Sequence, residues 1–202
     1  MNTQVVKIDP EHIDQIKIKR AAEVIRDGGI VAFPTETVYG LAAEFSNQQA
    51  ARRIAQIKNR PPEKAFTVQV EKVADLEKLN CEISDFAYQL MERFWPGPLT
   101  LVLPTKNGKT LGVRIPDHQI ARSLIRTSQT AIVAPSANLS GEPPAQDAKA
   151  ALKIFDGLIE MIIDGGRTKL GLASTVVDLS VSPYRVLRAG AITQQEIQSV
   201  QN

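Results

Sequence analysis

Two threonine hydroxyls, a carboxyl and a phenol crowd into the five positions Thr35-Glu36-Thr37-Val38-Tyr39. They are bracketed by the apolar run Ile30-Val31-Ala32-Phe33-Pro34 and by Gly40-Leu41. The apolar run reads as a buried strand that Pro34 closes to further pairing, so the polar cluster sits where a strand leaves the core. In α/β proteins that is a common place for a ligand crevice, because backbone groups and short hydroxyls face it there. The same residues also suit a Thr-rich turn whose hydroxyls satisfy only the backbone, and local sequence does not separate the two.

Three further segments place cations and hydroxyls at strand or helix ends. Lys58-Asn59-Arg60-Pro61-Pro62-Glu63-Lys64 holds three cations in seven residues, with prolines limiting loop entropy. It suits either a preorganised anion site or a solvated loop with a lysine at a helix C-terminus. Ser136 and Asn138 follow the apolar Ala131-Ile132-Val133 and offer a hydroxyl and an amide to phosphate or ribose oxygens. No general base lies near in sequence and no Gly-x-Ser-x-Gly elbow is present, which disfavours a serine nucleophile. The third segment set is Arg114, Ser174-Thr175 and Arg188; such arginines serve as ion-pair partners or as ligands. Gly-x-x-x-x-Gly-Lys-Ser/Thr and strand-linked Gly-x-Gly-x-x-Gly are absent from the sequence. A bound nucleotide would therefore use another cradle, and the dispersed cations could neutralise its phosphates.

The elements that must position these groups follow from periodicity and punctuation. Ile13, Ile16, Ala21, Val24 and Ile25 predict a helix over 13–27, closed by Gly28-Gly29. Ser46 and Gln49 predict a capping box for a helix ending near Lys58, and Pro61-Pro62 bars its continuation. A strand is predicted over 65–70, a short helix over 73–79 and a longer one over 84–95. Strands are predicted over 99–104, 112–115, 131–134, 158–164, 174–179 and 184–187, with helices over 117–127, 146–155 and 193–200. Some neighbouring strands have helix-length connections and others only turns, so parallel and antiparallel pairing should mix. The expected architecture is a single α/β domain over residues 10–202, with a short extension over 1–9 and a twisted mixed sheet flanked by helices.

With 202 residues, 43% hydrophobic and 23% charged, the chain can bury one sizeable core. The N-terminus lacks the pattern of a signal peptide and no apolar run reaches membrane-spanning length, so a cytoplasmic protein without membrane contact is expected. Cys81, the single cysteine, excludes an internal disulfide and reads as a small hydrophobe. With only His12 and His118 beside it, a zinc or iron site is not expected. A net charge of +2 is too mild to argue for a nucleic-acid partner.

Taken together, Pro34-Thr35-Glu36-Thr37-Val38-Tyr39-Gly40-Leu41, Lys58-x-Arg60, Arg114-x-Pro116, Ser136-x-Asn138, Ser174-Thr175-Val176-Val177-Asp178 and Arg188-x-Gly190 resemble the YrdC/TsaC family of threonylcarbamoyl-AMP synthases. The match runs in order from about residue 10 to the end. The resemblance implies a twisted mixed sheet around a positively lined concave cavity. It also implies an enzyme, a nucleotidyltransferase, that joins L-threonine, bicarbonate or carbon dioxide, and ATP with Mg2+ into threonylcarbamoyl-adenylate, releasing pyrophosphate. Partners of the TsaD, TsaB and TsaE type would transfer the product to tRNA.

The roles that the resemblance carries over are catalytic for Lys58, Arg60, Ser136 and Asn138. Threonine binding falls to Thr37, Gln69, Arg114, Ala134 and Ser174, and ATP binding to Arg60, Lys64, Thr110, Ser136, Pro144 and Arg188. Magnesium is expected to be held mainly by the phosphates of ATP, with Glu36 the nearby carboxylate. Two departures stand out. Gln69 occupies a position that is histidine in many family members, and the C-terminal domain of the longer members is not expected here. The alternative reading is a binding module for double-stranded RNA or tRNA on the same fold, with weak RNA binding and no catalysis. A third, a carbamoyl-adenylate-forming module of hydrogenase maturation proteins, would call for zinc-finger-like cysteines that this sequence lacks.

Overall fold

A computed structural model of the chain describes residues 2–61 and 65–200. The chain runs β1 (Gln4–Lys7), α1 (Gln15–Arg26), β2 (Val31–Phe33), β3 (Gly40–Glu44), α2 (Gln48–Ile57), β4 (Val68–Gln69), α3 (Asp75–Lys78) and α4 (Asp85–Phe94). It continues through β5 (Leu99–Pro104), β6 (Thr110–Arg114), α5 (Gln119–Ser128), β7 (Ile132–Val133), α6 (Ala148–Phe155), β8 (Met161–Asp164), β9 (Thr175–Asp178), β10 (Arg185–Arg188) and α7 (Gln194–Gln198). Among the described residues ten strands form one sheet in the order β1-β8-β2-β3-β7-β4-β6-β5-β9-β10. Parallel pairs (β1 with β8, β2 with β8, β4 with β6, β5 with β9) mix with antiparallel ones, which matches the expected mixed sheet.

Both faces of the central strands are covered, so their alternating side chains are apolar throughout. Val31 and Phe33 of β2 point into a cluster with Ile18, Ala21, Ala22 and Ile25 of α1 and Ile120, Ala121 and Leu124 of α5. Ala32 and Ile162 point the other way, toward Ala50 and Ile54 of α2 and Ala148, Ala151 and Phe155 of α6. A third cluster joins β5, β6 and β9 to α3, α4 and α7 through Leu99, Leu101, Val113, Val177, Leu76, Leu90 and Ile197.

Several expectations shift in detail. Asp14 caps α1 by accepting from the N–H groups of Ile16 and Lys17, so the helix starts later than 13. Its inward face is then Ile18, Ala21, Ala22 and Ile25, while Ile16 is 83% exposed. Gly28, at φ +84°, closes it as expected, with the Gly29 N–H on Val24 O. The cap of α2 is Asn47, which accepts from Ala50 N–H, and not Ser46, whose hydroxyl bonds the Glu44 carboxylate instead. The first nine residues, expected as an extension, contribute β1, whose residues pair in register with β8. The strand expected over 65–70 shortens to Val68–Gln69, because Ala65 O is taken by the Arg60 guanidinium.

Candidate functional site

The turn between β2 and β3 is fixed by one hydroxyl. Thr35 Oγ1 donates to Val38 O at 2.7 Å and accepts from the N–H groups of Thr37 and Val38. Its single proton is thereby committed, so in the 2.8 Å contact with Thr37 Oγ1 it is Thr37 that donates. Thr37 is fully buried against the protein, and its oxygen is left with lone pairs for a ligand's N–H or O–H. Tyr39 anchors the far side, donating to Gly166 O at 2.8 Å, and burial pushes its phenol well above the ordinary range. In the expected polar cluster Thr35 thus satisfies the backbone, while Thr37 lines a cleft.

The end of α2 sorts its two cations to different places. Asn59 adopts a left-handed conformation at φ +50°, with its N–H on Gln56 O and the Arg60 N–H on Ala55 O, so the helix ends before the prolines. Lys58 is thereby turned inward and is 2% exposed. Its ammonium donates to Ser136 O, to Asn138 O at 2.6 Å and to Asn138 Oδ1 at 3.3 Å, while its own carbonyl accepts from Ser140 N–H. Burial, with the neighbouring Arg60 charge, lowers its pKa to about 8. Asn138 completes the loop, donating to Leu139 O and Glu142 O and accepting from Ser136 Oγ at 2.6 Å. Lys58 and Asn138, expected as catalytic, are absent from the cleft lining and instead hold Ser136 in place; Arg60 and Ser136 do line the cleft.

Arg60, Arg114 and Arg188 converge on a cleft of about 590 Å³, counting space open to solvent. Arg60 bonds Ala65 O at 2.8 Å and lies over the Phe66 ring at 5.1 Å. Arg114, at the end of β6, is 5% exposed. It donates through Nε to Gly97 O at 3.0 Å and touches Glu36 Oε1 with Nη2 at 2.6 Å, which leaves Nη1 as the open edge of its guanidinium. Arg188 donates to Ser174 O at 3.0 Å and to Ser174 Oγ at 2.9 Å, and that hydroxyl shares a 2.9 Å bond with Thr100 Oγ1. Burial and the charges of Arg114 and Arg60 lower the Arg188 pKa, as expected where cations face one another across a cleft. Gly190 lets the chain pass over this point, since a Cβ there would stand 2.4 Å from Ala173 O and 2.5 Å from Thr175 N.

Of the other expected residues, Thr37, Gln69, Ala134 and Ser174 line the same cleft. Gln69 is 2% exposed with its Oε1 unpartnered. Thr110 is exposed at the start of β6 and Pro144 is half-buried, and neither lines the cleft. Lys64 lies outside the described residues. Thr35, read in the polar cluster, lines the cleft too, while sequence reasoning passed over Thr100 and Phe66 as lining residues. A hydroxyl in the apolar run Leu99-Thr100-Leu101 was a usable signal for Thr100; nothing in the sequence marked Phe66.

For a metal the donor set is poor. Among the described residues no three of His, Cys, Asp and Glu gather to hold one. Glu36 does not line the cleft and touches Arg114 instead. No helix among the described residues is long and apolar enough to cross a membrane.

Comparison with known proteins agrees with this geometry. Residues 23–190 match the family Sua5_yciO_yrdC, described as telomere recombination. Threonylcarbamoyl-AMP synthase of Pyrococcus abyssi is 45% identical over 199 residues, covering 94% of this chain and 58% of that protein. The Bacillus subtilis protein of the same name is 41% identical over 194 residues, covering 91% and 56%. The chain thus spans somewhat over half the length of these relatives. The crystal structure of P. abyssi Sua5 complexed with L-threonine superposes with a TM-score of 0.94 at 43% identity, covering 98% of this chain and 61% of that one. The chain belongs to the Sua5/YciO/YrdC family.

Proposed function

We propose that this chain forms threonylcarbamoyl-adenylate from L-threonine, bicarbonate or carbon dioxide, and ATP, releasing pyrophosphate. The observation that carries the reading is the convergence of Arg60, Arg114 and Arg188 on one cleft beside the oxygen of Thr37. The likeness to P. abyssi Sua5 with L-threonine supports threonine as the amino acid. Arg114 Nη1 and the Ser174 hydroxyl suit its carboxylate, Thr37 Oγ1 its amine and Gln69 its remaining polar groups. Arg60, Ser136 and Arg188 suit the phosphates. Lys64, Thr110 and Pro144 are assigned to ATP on sequence resemblance alone, the last two lying outside the cleft lining.

The chemistry is positioning and electrostatics. The threonine ammonium gives one proton to solvent, and its free amine then bonds to the carbon of carbon dioxide, which bicarbonate supplies by losing water, and sheds a second proton to solvent, giving a carbamate. A carbamate oxygen then attacks the α-phosphorus, the bond from that phosphorus to the bridging oxygen breaks, and its electrons leave with pyrophosphate. Arg60 and Arg188 stabilise the charge that gathers on the departing group. No covalent enzyme intermediate is needed, in accord with a lining in which, among the described residues, no nucleophile and base form a pair. Magnesium enters bound to ATP as part of the substrate. Transfer of the product to tRNA by partners of the TsaD, TsaB and TsaE type, in the cytoplasm, completes the proposal. The RNA-binding alternative is not favoured, because Arg114, which it would need at the surface, is only 5% exposed.

The test is pyrophosphate release from ATP, magnesium and bicarbonate, with L-threonine, with L-serine and with neither. Threonine-dependent release is expected. A protein that binds ATP yet releases no more pyrophosphate with threonine than without it would refute the proposal.

A further inference from the structure

Glu36 is buried, 5% exposed, in the turn between β2 and β3. Its backbone is pinned, since Glu36 O accepts from Leu170 N–H at 2.9 Å. Its carboxylate stands behind Arg114 and off the cleft lining, 2.6 Å from Nη2. Neither oxygen receives an in-line hydrogen bond, and Arg114 Nη2 likewise has no in-line acceptor, so the contact is one of charges. Among the described residues the cleft is lined by the guanidiniums of Arg60, Arg114 and Arg188 and by no carboxylate. A cluster of guanidiniums favours polyanions in general, and a phosphate group would compete for the place of a zwitterion. A buried negative charge against Arg114 lowers the positive potential on that side of the cleft relative to the rest.

We propose that Glu36 is a positioning and specificity-determining residue, which fixes Arg114 with its Nη1 edge toward the cleft and keeps that side selective for the carboxylate of a zwitterionic amino acid over a polyanion. The proposal rests on the amino-acid side assigned above, and Glu36 itself touches no substrate. Its consequence is specific. Losing the charge should raise affinity for inorganic oxyanions at the same place where threonine affinity is lost, which a merely structural role would not produce.

The experiment is calorimetric titration of the full chain and its E36Q and E36D variants with sodium sulfate, L-threonine, and each in the presence of the other. E36Q is expected to weaken threonine by about tenfold or more, the scale for a buried pair that loses one partner. It should also bind sulfate more tightly than the unaltered chain, in competition with threonine. E36D keeps the charge on a shorter side chain, so it should hold sulfate at the unaltered level while losing threonine affinity through a displaced Arg114. Equal sulfate affinity in E36Q and the unaltered chain would overturn the charge role. Unaltered threonine affinity in E36D would overturn the positioning role, and it decides the matter even if E36Q does not fold. If the unaltered chain binds no threonine, the proposed function fails, and the sulfate comparison still tests the charge role separately.

Discussion

Replacing Lys58 by methionine should remove activity while leaving the fold nearly as stable. The buried ammonium titrates at about 8 rather than its ordinary 10.5, so keeping it charged at neutral pH costs the folded state about 3 kcal/mol. Methionine relieves that cost and fills most of the volume. Against it, the carbonyls of Ser136 and Asn138 lose their buried donor, at about 1–3 kcal/mol each. Asn138 Oδ1 keeps the Ser136 hydroxyl, so it adds little. The balance lies between a gain of about 1 and a loss of about 3 kcal/mol, centred on a loss of about 1, and a chain of this size shifts its Tm by about 2–4 °C per kcal/mol. Activity should respond far more, because the loop carrying Ser136 is then held at one fewer point beside the phosphate site. Scanning calorimetry and threonine-dependent pyrophosphate release, run on the same K58M preparation, measure the two quantities. A loss of stability beyond about 5 kcal/mol, or activity within twofold of the unaltered chain, would refute the clamp and the offset on which it rests.

Other expectations follow from the same geometry. R60A should lower adenylate formation by about two to three orders of magnitude, on the scale of a lost charge-stabilising donor, with threonine binding little changed by calorimetry; R114A should chiefly raise the threonine concentration needed, seen as KM. G190A forces a Cβ against the backbone of residues 173–175, so denaturant unfolding should show a loss of about 1–3 kcal/mol or more, and the displaced Ser174 should raise the threonine KM. For pH, Lys58 is depressed in the folded chain, so between about 8 and 10.5 the unfolded chain binds the extra proton. Its contribution to stability therefore rises with pH across that window. Activity should run the other way, falling above pH 8 as the clamp loses its charge, and K58M should lack both the step in residual activity and the rise in stability.

Much of the site was legible because its chemistry is local. The Thr35–Tyr39 turn, the Lys58-x-Arg60 pair and the Ser136-x-Asn138 pair each announce polar groups at the end of an apolar run, and the structure brings all three together. What sequence could not reveal was direction. Lys58 and Arg60 are two residues apart, yet the left-handed Asn59 between them sends one under the loop and the other into the cleft. A capping box read at Ser46 failed because Asn47, one residue on, is an equally good cap and fits the start of α2 better. The edge strand Gln4–Lys7 was missed because one face of it is open, so its pattern is short and half polar. Glu36 stood out in the sequence only as the carboxylate of the turn; its burial against Arg114 is a fact of tertiary structure.

The central claim, that this cleft joins an amino acid, an inorganic carbon and a nucleotide, is tested most directly by following the carbon. The protein would be incubated with ATP, magnesium, L-threonine and 13C-labelled bicarbonate, and the adenylate resolved by mass spectrometry. A threonine-dependent adenylate carrying the 13C label is the expected product, lost in R60A. Protein that binds both ATP and threonine yet yields no labelled adenylate would contradict the account.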